Sequence, residues 1–147
     1  MDRIVTGVGQ DGRATIVRSD TLLPVAGLPG SRTETRLAWA AAKSLALTDA
    51  DETLSFSPTT SAFPSAGETR FVMVTFPPDF ATPIHATPTT DYVVVVAGEL
   101  WLVMDDGSER KLSPGDSVIQ RGTSHAWQNR SGTPCTIAAT MIGLMDA

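Results

Sequence analysis

The sequence predicts an all-β sandwich or barrel, on three observations. Short runs rich in Val, Ile, Thr and aromatics succeed one another through the second half of the chain. Clusters of Gly, Asp, Ser and Pro (AGE, DDGS, PGD and RGTS) separate them at regular intervals, as tight turns do. The stretch from Ile84 to Asn129 carries both histidines of the chain, His85 and His125, at its two ends. A meander of strands can fold such distant residues onto one spot.

The elements follow in order. Residues 3–19 hold two β-prone runs around GQDG and predict a hairpin. Residues 20–33, with Pro24, Gly27, Pro29 and Gly30, read as loop. The run TRLAWAAAKSLALT fits either a helix, with Leu37, Ala40, Ala41 and Leu45 near a helical period, or an extended strand. The strand, followed by loop, is preferred. Residues 48–67 have the Ser/Thr/Pro/Gly/Asp composition of a surface loop, either a plain connector or one that closes over a site. Residues 69–76, TRFVMVTF, are a strand whose alternation separates Phe71, Met73 and Thr75 from Arg70, Val72 and Val74. Further strands are expected at 83–87, 91–97, 99–104, 109–112, 117–120, 124–129 and 134–144. Turns are expected at Asp105–Ser108 and Pro114–Asp116, and the flanking Pro83 and Pro88 point to an irregular or edge strand at His85.

Composition bounds the function. A chain of 147 residues is about one domain, and 41% apolar with 18% charged residues is ordinary for a soluble globular protein. A net charge of −5 without any basic cluster argues against nucleic acid or an anionic membrane as partner. The longest apolar run, YVVVVA, is far short of the ~20 residues that span a bilayer. The N-terminal residues lack the pattern of a signal peptide. Cys135 stands alone, so no internal disulfide is available, and it reads as an inert buried thiol. A cytoplasmic protein is expected.

The stretch from Ile84 to Asn129 resembles the paired motifs of the cupin superfamily, which are small jelly-roll barrels. His85 takes the first histidine place of the first motif, Asp91 the place of its glutamate, and Gly98 its closing glycine. Gly115, Gly122, His125 and Asn129 match the second motif, with Gln120 where a proline is usual. Two further departures stand out: Thr87 replaces the second histidine, and Asp91 is one methylene shorter than glutamate. The resemblance implies a single cupin domain over 1–147, with a core barrel at about 68–145 and an N-terminal β extension over 1–67. It also implies a homodimer, the exposed edges of such a barrel giving a physical reason for pairing.

Strand parity points His85, Thr87 and Asp91 one way, and His125, Trp127 and Asn129 another common way. If both faces point into the barrel, His85, Asp91 and His125 are the candidate catalytic residues. Two imidazoles and a carboxylate are also the donor set of Fe, and suit Mn, Ni or Zn, so the same three residues are the expected ligands of a divalent metal. Thr87, Trp127, Arg121, Met73 and Thr75 are the candidate substrate-binding residues. The hydroxyl of Thr87 would bond a water or substrate, Trp127 would wall the cavity and Arg121 would clamp a carboxylate. Without a metal, the histidines could serve as a general base. The expected function is a metal-dependent cupin enzyme acting on a small organic metabolite, aromatic or carboxylate. Lyase, decarboxylase, dehydratase or isomerase chemistry is preferred to dioxygenation. The alternative is a non-catalytic small-ligand-binding or regulatory cupin with a degenerate metal site, for which Thr87 speaks.

Overall fold

The computed structural model describes residues 1–8, 10, 14–25, 32–41 and 61–145. Within them every regular element is a β-strand. β1 (Asp2–Val8) and β2 (Ala14–Thr21) pair antiparallel as a two-stranded sheet of their own. This is the hairpin expected around GQDG, and most of its turn lies outside the described residues. β3 (Pro24–Val25), β4 (Glu34–Ala41) and β5 (Thr69–Phe76) follow, then the two-residue β6 (Phe80–Ala81). β7 (Thr89–Ala97), β8 (Leu100–Met104) and β9 (Glu109–Leu112) come next. β10 (Ser117–Arg121), β11 (His125–Asn129) and β12 (Cys135–Gly143) complete the chain. A six-stranded sheet runs in the order β10-β7-β12-β5-β4-β3, and a four-stranded sheet in the order β6-β11-β8-β9. All the strand pairs are antiparallel, and the two larger sheets form a jelly roll.

Side-chain alternation explains which face is buried. Along β12, Cys135, Ile137, Ala139, Met141 and Gly143 are buried while the residues between them are half-buried. Along β7, Thr89, Asp91, Val93 and Val95 are buried, and Tyr92, Val94 and Val96 are exposed. The core gathers these inward residues with Leu37, Val72, Phe76, Leu100, Leu112 and Trp127. Phe76 of β5 meets both Phe80 and Trp127 at ring-centroid distances of 6.4 Å, which joins the two larger sheets through aromatic contact.

Several expectations are refined. The run from Glu34 to Ala41 is a strand, and a register shift between Leu37 and Trp39 buries Leu37, Ala38 and Ala40 together. That bulge breaks clean alternation, and so the run imitated a helical period. The rest of the run lies outside the described residues, as do positions 48–60 of the expected loop. The expected loop over 20–33 contains β3, and both β3 and β4 join the barrel sheet although they precede position 68. The expected strand at 83–87 reduces to a single bridge at His85, consistent with the flanking prolines. Among the described residues no helix is long and apolar enough to cross a membrane.

Two residues fix the turns that hold the β11 end of the barrel. Gly98 adopts φ +79°, and a Cβ there would lie 2.5 Å from the Pro134 carbonyl oxygen. Glycine alone suits both demands. Asn129, 1% exposed, donates its amide to the carbonyls of Phe76 (3.2 Å), Pro77 (3.1 Å) and Thr133 (2.8 Å). Its oxygen accepts from the backbone N–H of Ser131 (3.0 Å) and from the Ser131 hydroxyl (2.7 Å). Truncation would orphan these buried backbone groups. Asn129→Ala is therefore expected to lower the unfolding free energy by about 2–4 kcal/mol, read by urea denaturation. A loss below about 1 kcal/mol would show that the loops hold themselves.

Candidate functional site

His85 has no strand of its own, so its position depends on β11. Its backbone N–H donates to the His125 carbonyl and the His125 N–H donates to the His85 carbonyl, both at 2.9 Å. This reciprocal pair brings the two rings to 4.6 Å between centroids, tilted by 48°. His85 Nδ1 lies 2.8 Å from the Pro83 carbonyl, which can only accept, so Nδ1 carries the proton. His125 Nδ1 lies 2.8 Å from the Thr123 carbonyl and also touches the amide nitrogen of Gln120. The edge of Trp127 packs on His125, with centroids 5.5 Å apart at 79°.

Both rings face a cavity of about 100 Å³ between the sheets. Its apolar wall includes Val72, Phe76, Val93, Trp127, Ile137 and Met141. Its polar lining is His85, His125, Asp91 and the threonines at 33, 35, 82 and 87. No Lys or Arg is among the described lining residues. Asp91 enters from β7, 8% exposed, and its Oδ1 is buried without a hydrogen-bond partner. Burial pushes its carboxyl above the usual range, outweighing the hydrogen bond to the Thr89 side chain and the attraction of His85. Burial also lowers the His125 pKa, the Thr123 carbonyl opposing this and the charge of His85 adding to it.

A cupin-domain family model matches residues 72–142, from β5 through nearly all of β12. The chain is a cupin. Phomopsin biosynthesis cluster protein C' of Diaporthe leptostromiformis is 52% identical to this cupin over 50 residues, 34% of this chain and 26% of the relative. The cupin-domain-containing oxidoreductase fogC of Aspergillus ruber is 35% identical over 74 residues, 50% of this chain and 36% of the relative. This cupin therefore spans well under half the length of either relative. The solved structure of the DMSP lyase DddQ from Ruegeria pomeroyi is similar at TM-score 0.48 and 25% identity, over 54% of this chain and 40% of that one.

The structure brings His85, Asp91, His125, Thr87 and Trp127 to one cavity. Three other expected residues do not line it. Met73 and Thr75 lie on the opposite face of β5 from Val72, Val74 and Phe76, which do line it. Met73 pairs across with Ala138, and the Thr75 hydroxyl meets the Thr136 hydroxyl at 3.0 Å. Arg121 is exposed at the end of β10, where its backbone N–H donates to the Gln120 side-chain oxygen (3.0 Å). The Thr87 hydroxyl is engaged by the Thr89 hydroxyl at 2.9 Å. Sequence reading missed Thr35, Thr82 and Gln120. Thr82 is buried beside β11 and accepts the Trp127 N–H on its hydroxyl (2.9 Å). Only Gln120 carried a signal in the sequence, as the departure from proline.

Cupins commonly bind metals, and the donor types here suit a divalent ion. The orphaned Asp91 oxygen is the kind of group that a cation would satisfy. The placement does not fit, because among the described residues no three His, Cys, Asp or Glu side chains form a group that could hold an ion. The Nδ1–H of His85 is held by the Pro83 carbonyl, which leaves its Nε2 with a free lone pair. Burial favours the protonated form of Asp91.

That preference has a measurable sign. A carboxyl with a raised folded-state pKa contributes its full stability below the unfolded value of about 4. The contribution is lost as pH rises through the folded value. Asp91→Asn keeps the shape and removes the ionisation. Its melting temperature is expected to match wild type near pH 4 and to exceed it at pH 8, by roughly 2–4 °C per kcal/mol released. An equal difference at both pH values would show that Asp91 is not the titrating group.

Proposed function

We propose that this cupin is an enzyme that binds a small, mainly apolar, uncharged organic molecule in the barrel and transfers protons on it. The carrying observation is that His85, whose unprotonated nitrogen is Nε2, and the buried acid Asp91 line one largely apolar cavity. In this reading His85 accepts a proton through Nε2 and Asp91 supplies one, which suits isomerisation or elimination without a net redox change. Apolar walls and the edge of Trp127 exclude water and hold the substrate body. The absence of Lys and Arg from the described lining disfavours the carboxylate substrate expected from sequence. The names of the two relatives, a biosynthesis-cluster protein and an oxidoreductase, support an enzymatic role in small-molecule metabolism. The alternative of a non-catalytic binding cupin draws on Thr87, whose hydroxyl pairs with Thr89.

The first test is elemental analysis of protein purified without an affinity tag, followed by turnover of a panel of neutral hydroxy and carbonyl compounds in deuterated buffer. Sub-stoichiometric metal is expected, with solvent deuterium in the product and activity that survives a strong chelator. His85→Ala should lower kcat/KM by about 10²–10⁴-fold. Near-stoichiometric Fe, Mn, Ni or Zn, lost in the His85→Ala, His125→Ala double variant, would overturn the metal-free reading. Binding without turnover would select the non-catalytic alternative.

The homodimer belongs to the same proposal. Ile119, Tyr92, Val96, Phe71 and Val94 are 58, 51, 50, 42 and 38% exposed on the outer face of the six-stranded sheet. Register places Ile119, Tyr92, Thr140 and Phe71 in one row across four strands, free of charge, which a second copy of the same face could cover. Light scattering is expected to give twice the mass of one chain, with Ile119→Lys shifting it towards the monomer. A wild-type monomer at micromolar concentration removes the dimer.

A further inference from the structure

Thr82 lies just past β6 and beside β11, 8% exposed and on the lining of the cavity. Two hydrogen bonds to one residue fix it there. Its backbone N–H donates to the Trp127 carbonyl, and the Trp127 N–H donates to its hydroxyl oxygen, both at 2.9 Å. A backbone N–H can only donate, so the hydroxyl proton is directed elsewhere. Among the described residues no acceptor takes it. The Thr87 hydroxyl, by contrast, is already engaged by Thr89. An O–H whose oxygen accepts a hydrogen bond is the stronger donor for it, and a buried donor left unmet is costly. The cavity is where that proton can be used. His85 is bridged to His125, two residues before Trp127 on the same edge of β11. The points where Thr82 and His85 attach are therefore about 7 Å apart along that strand. Both residues line the one cavity of about 100 Å³, so a single small molecule meets both.

We infer that Thr82 is a substrate-binding residue whose hydroxyl donates to a carbonyl oxygen, and that the molecule taken into the cavity is a neutral ketone or aldehyde. The inference rests on the proposed reading of the cavity as a substrate site. A carbonyl oxygen accepts without donating, so it matches an O–H that has no other use for its proton. No Lys or Arg among the described lining residues favours an anion in its place. The contact also gives Thr82 a part in proton transfer. When His85 Nε2 takes a proton from the carbon beside the carbonyl, the C–H electron pair becomes the C=C bond of an enolate. The carbonyl π pair moves onto oxygen, where the Thr82 O–H stabilises the charge. Asp91 then gives a proton to carbon, the enolate pair forms the new C–H bond and the carbonyl returns. One proton passed through water from the His85 imidazolium to the Asp91 carboxylate restores both side chains. Nothing is oxidised or reduced.

The test uses the full chain and two probes of nearly equal shape, carbonyl-¹³C cyclohexanone and methylenecyclohexane, which lacks the acceptor. Isotope-edited infrared spectra of wild type are expected to show the bound carbonyl stretch below its position in an alkane solvent. Thr82→Val removes the donor at constant shape. It should weaken the ketone about fivefold, leave methylenecyclohexane within about twofold, and return the stretch towards its alkane position. Thr82→Ser keeps the donor and should keep both the ketone affinity and the lowered stretch. Where the valine variant does not fold, Thr82→Cys, a much weaker donor, takes its place. An equal loss for both probes, or a carbonyl stretch unmoved by the substitution, overturns the Thr82 contact and leaves the cavity standing as a ligand site. Wild type that binds neither probe overturns the substrate-site reading and the carbonyl inference with it.

Discussion

The site depends on the reciprocal backbone hydrogen bonds between His85 and His125, each 2.9 Å long. The segment around His85 has no strand of its own to place it, since Pro83 and Pro88 withhold donors on either side. The bridge gives that segment one point of attachment to β11, at the position where β11 carries its own histidine. The ring separation follows from it, while Asp91 reaches the same cavity from β7. β11 is anchored in turn by pairing with β8 and by Asn129, so the core indirectly sets the geometry of the rings.

The same arrangement sets the chemistry. In this mainly apolar cavity burial disfavours the charged forms of Asp91 and His125, raising the pKa of one and lowering that of the other. Cys135 follows the same rule without function: burial, with Glu99 adding, pushes its thiol up to about 11. Its place behind Gly98 makes it packing material, as the lone cysteine suggested.

Much of the fold was legible because alternation is a local signal. β5, β7, β8, β9, β10, β11 and β12 fall within a residue or two of the expected runs. The site was legible where motif spacing carried it, at His85, Asp91 and His125. It was not legible at β5, where Met73 and Thr75 were expected inside. Both faces of TRFVMVTF are rich in apolar side chains, so composition does not choose between them. The choice is made by register, which sets Val72 opposite Ala139 and Val74 opposite Ile137, both inward residues of β12. Thr35 and Thr82 were invisible for a similar reason, as isolated threonines whose burial depends on strands far away in sequence.

Gln120 shows the limit of motif reading from the other side. At its position the motif usually has a proline, and by spacing alone a different residue there reads as decay. The structure gives that residue four polar contacts, all within five residues of chain. A proline could make none of the side-chain contacts, having neither donor nor acceptor beyond its backbone. The substitution therefore adds a hydrogen-bonded side chain where the pattern has only a turn-former. Thr87 in place of an imidazole and the shortened Asp91 are the other two departures. Thr87 lacks the imidazole lone pair that a metal would use, and both Thr87 and Gln120 are held by hydrogen bonds, whereas Asp91 keeps a buried carboxyl oxygen without a partner. Two of the three departures are thus hydrogen-bonding residues with partners of their own, and the third leaves a buried acid facing the cavity.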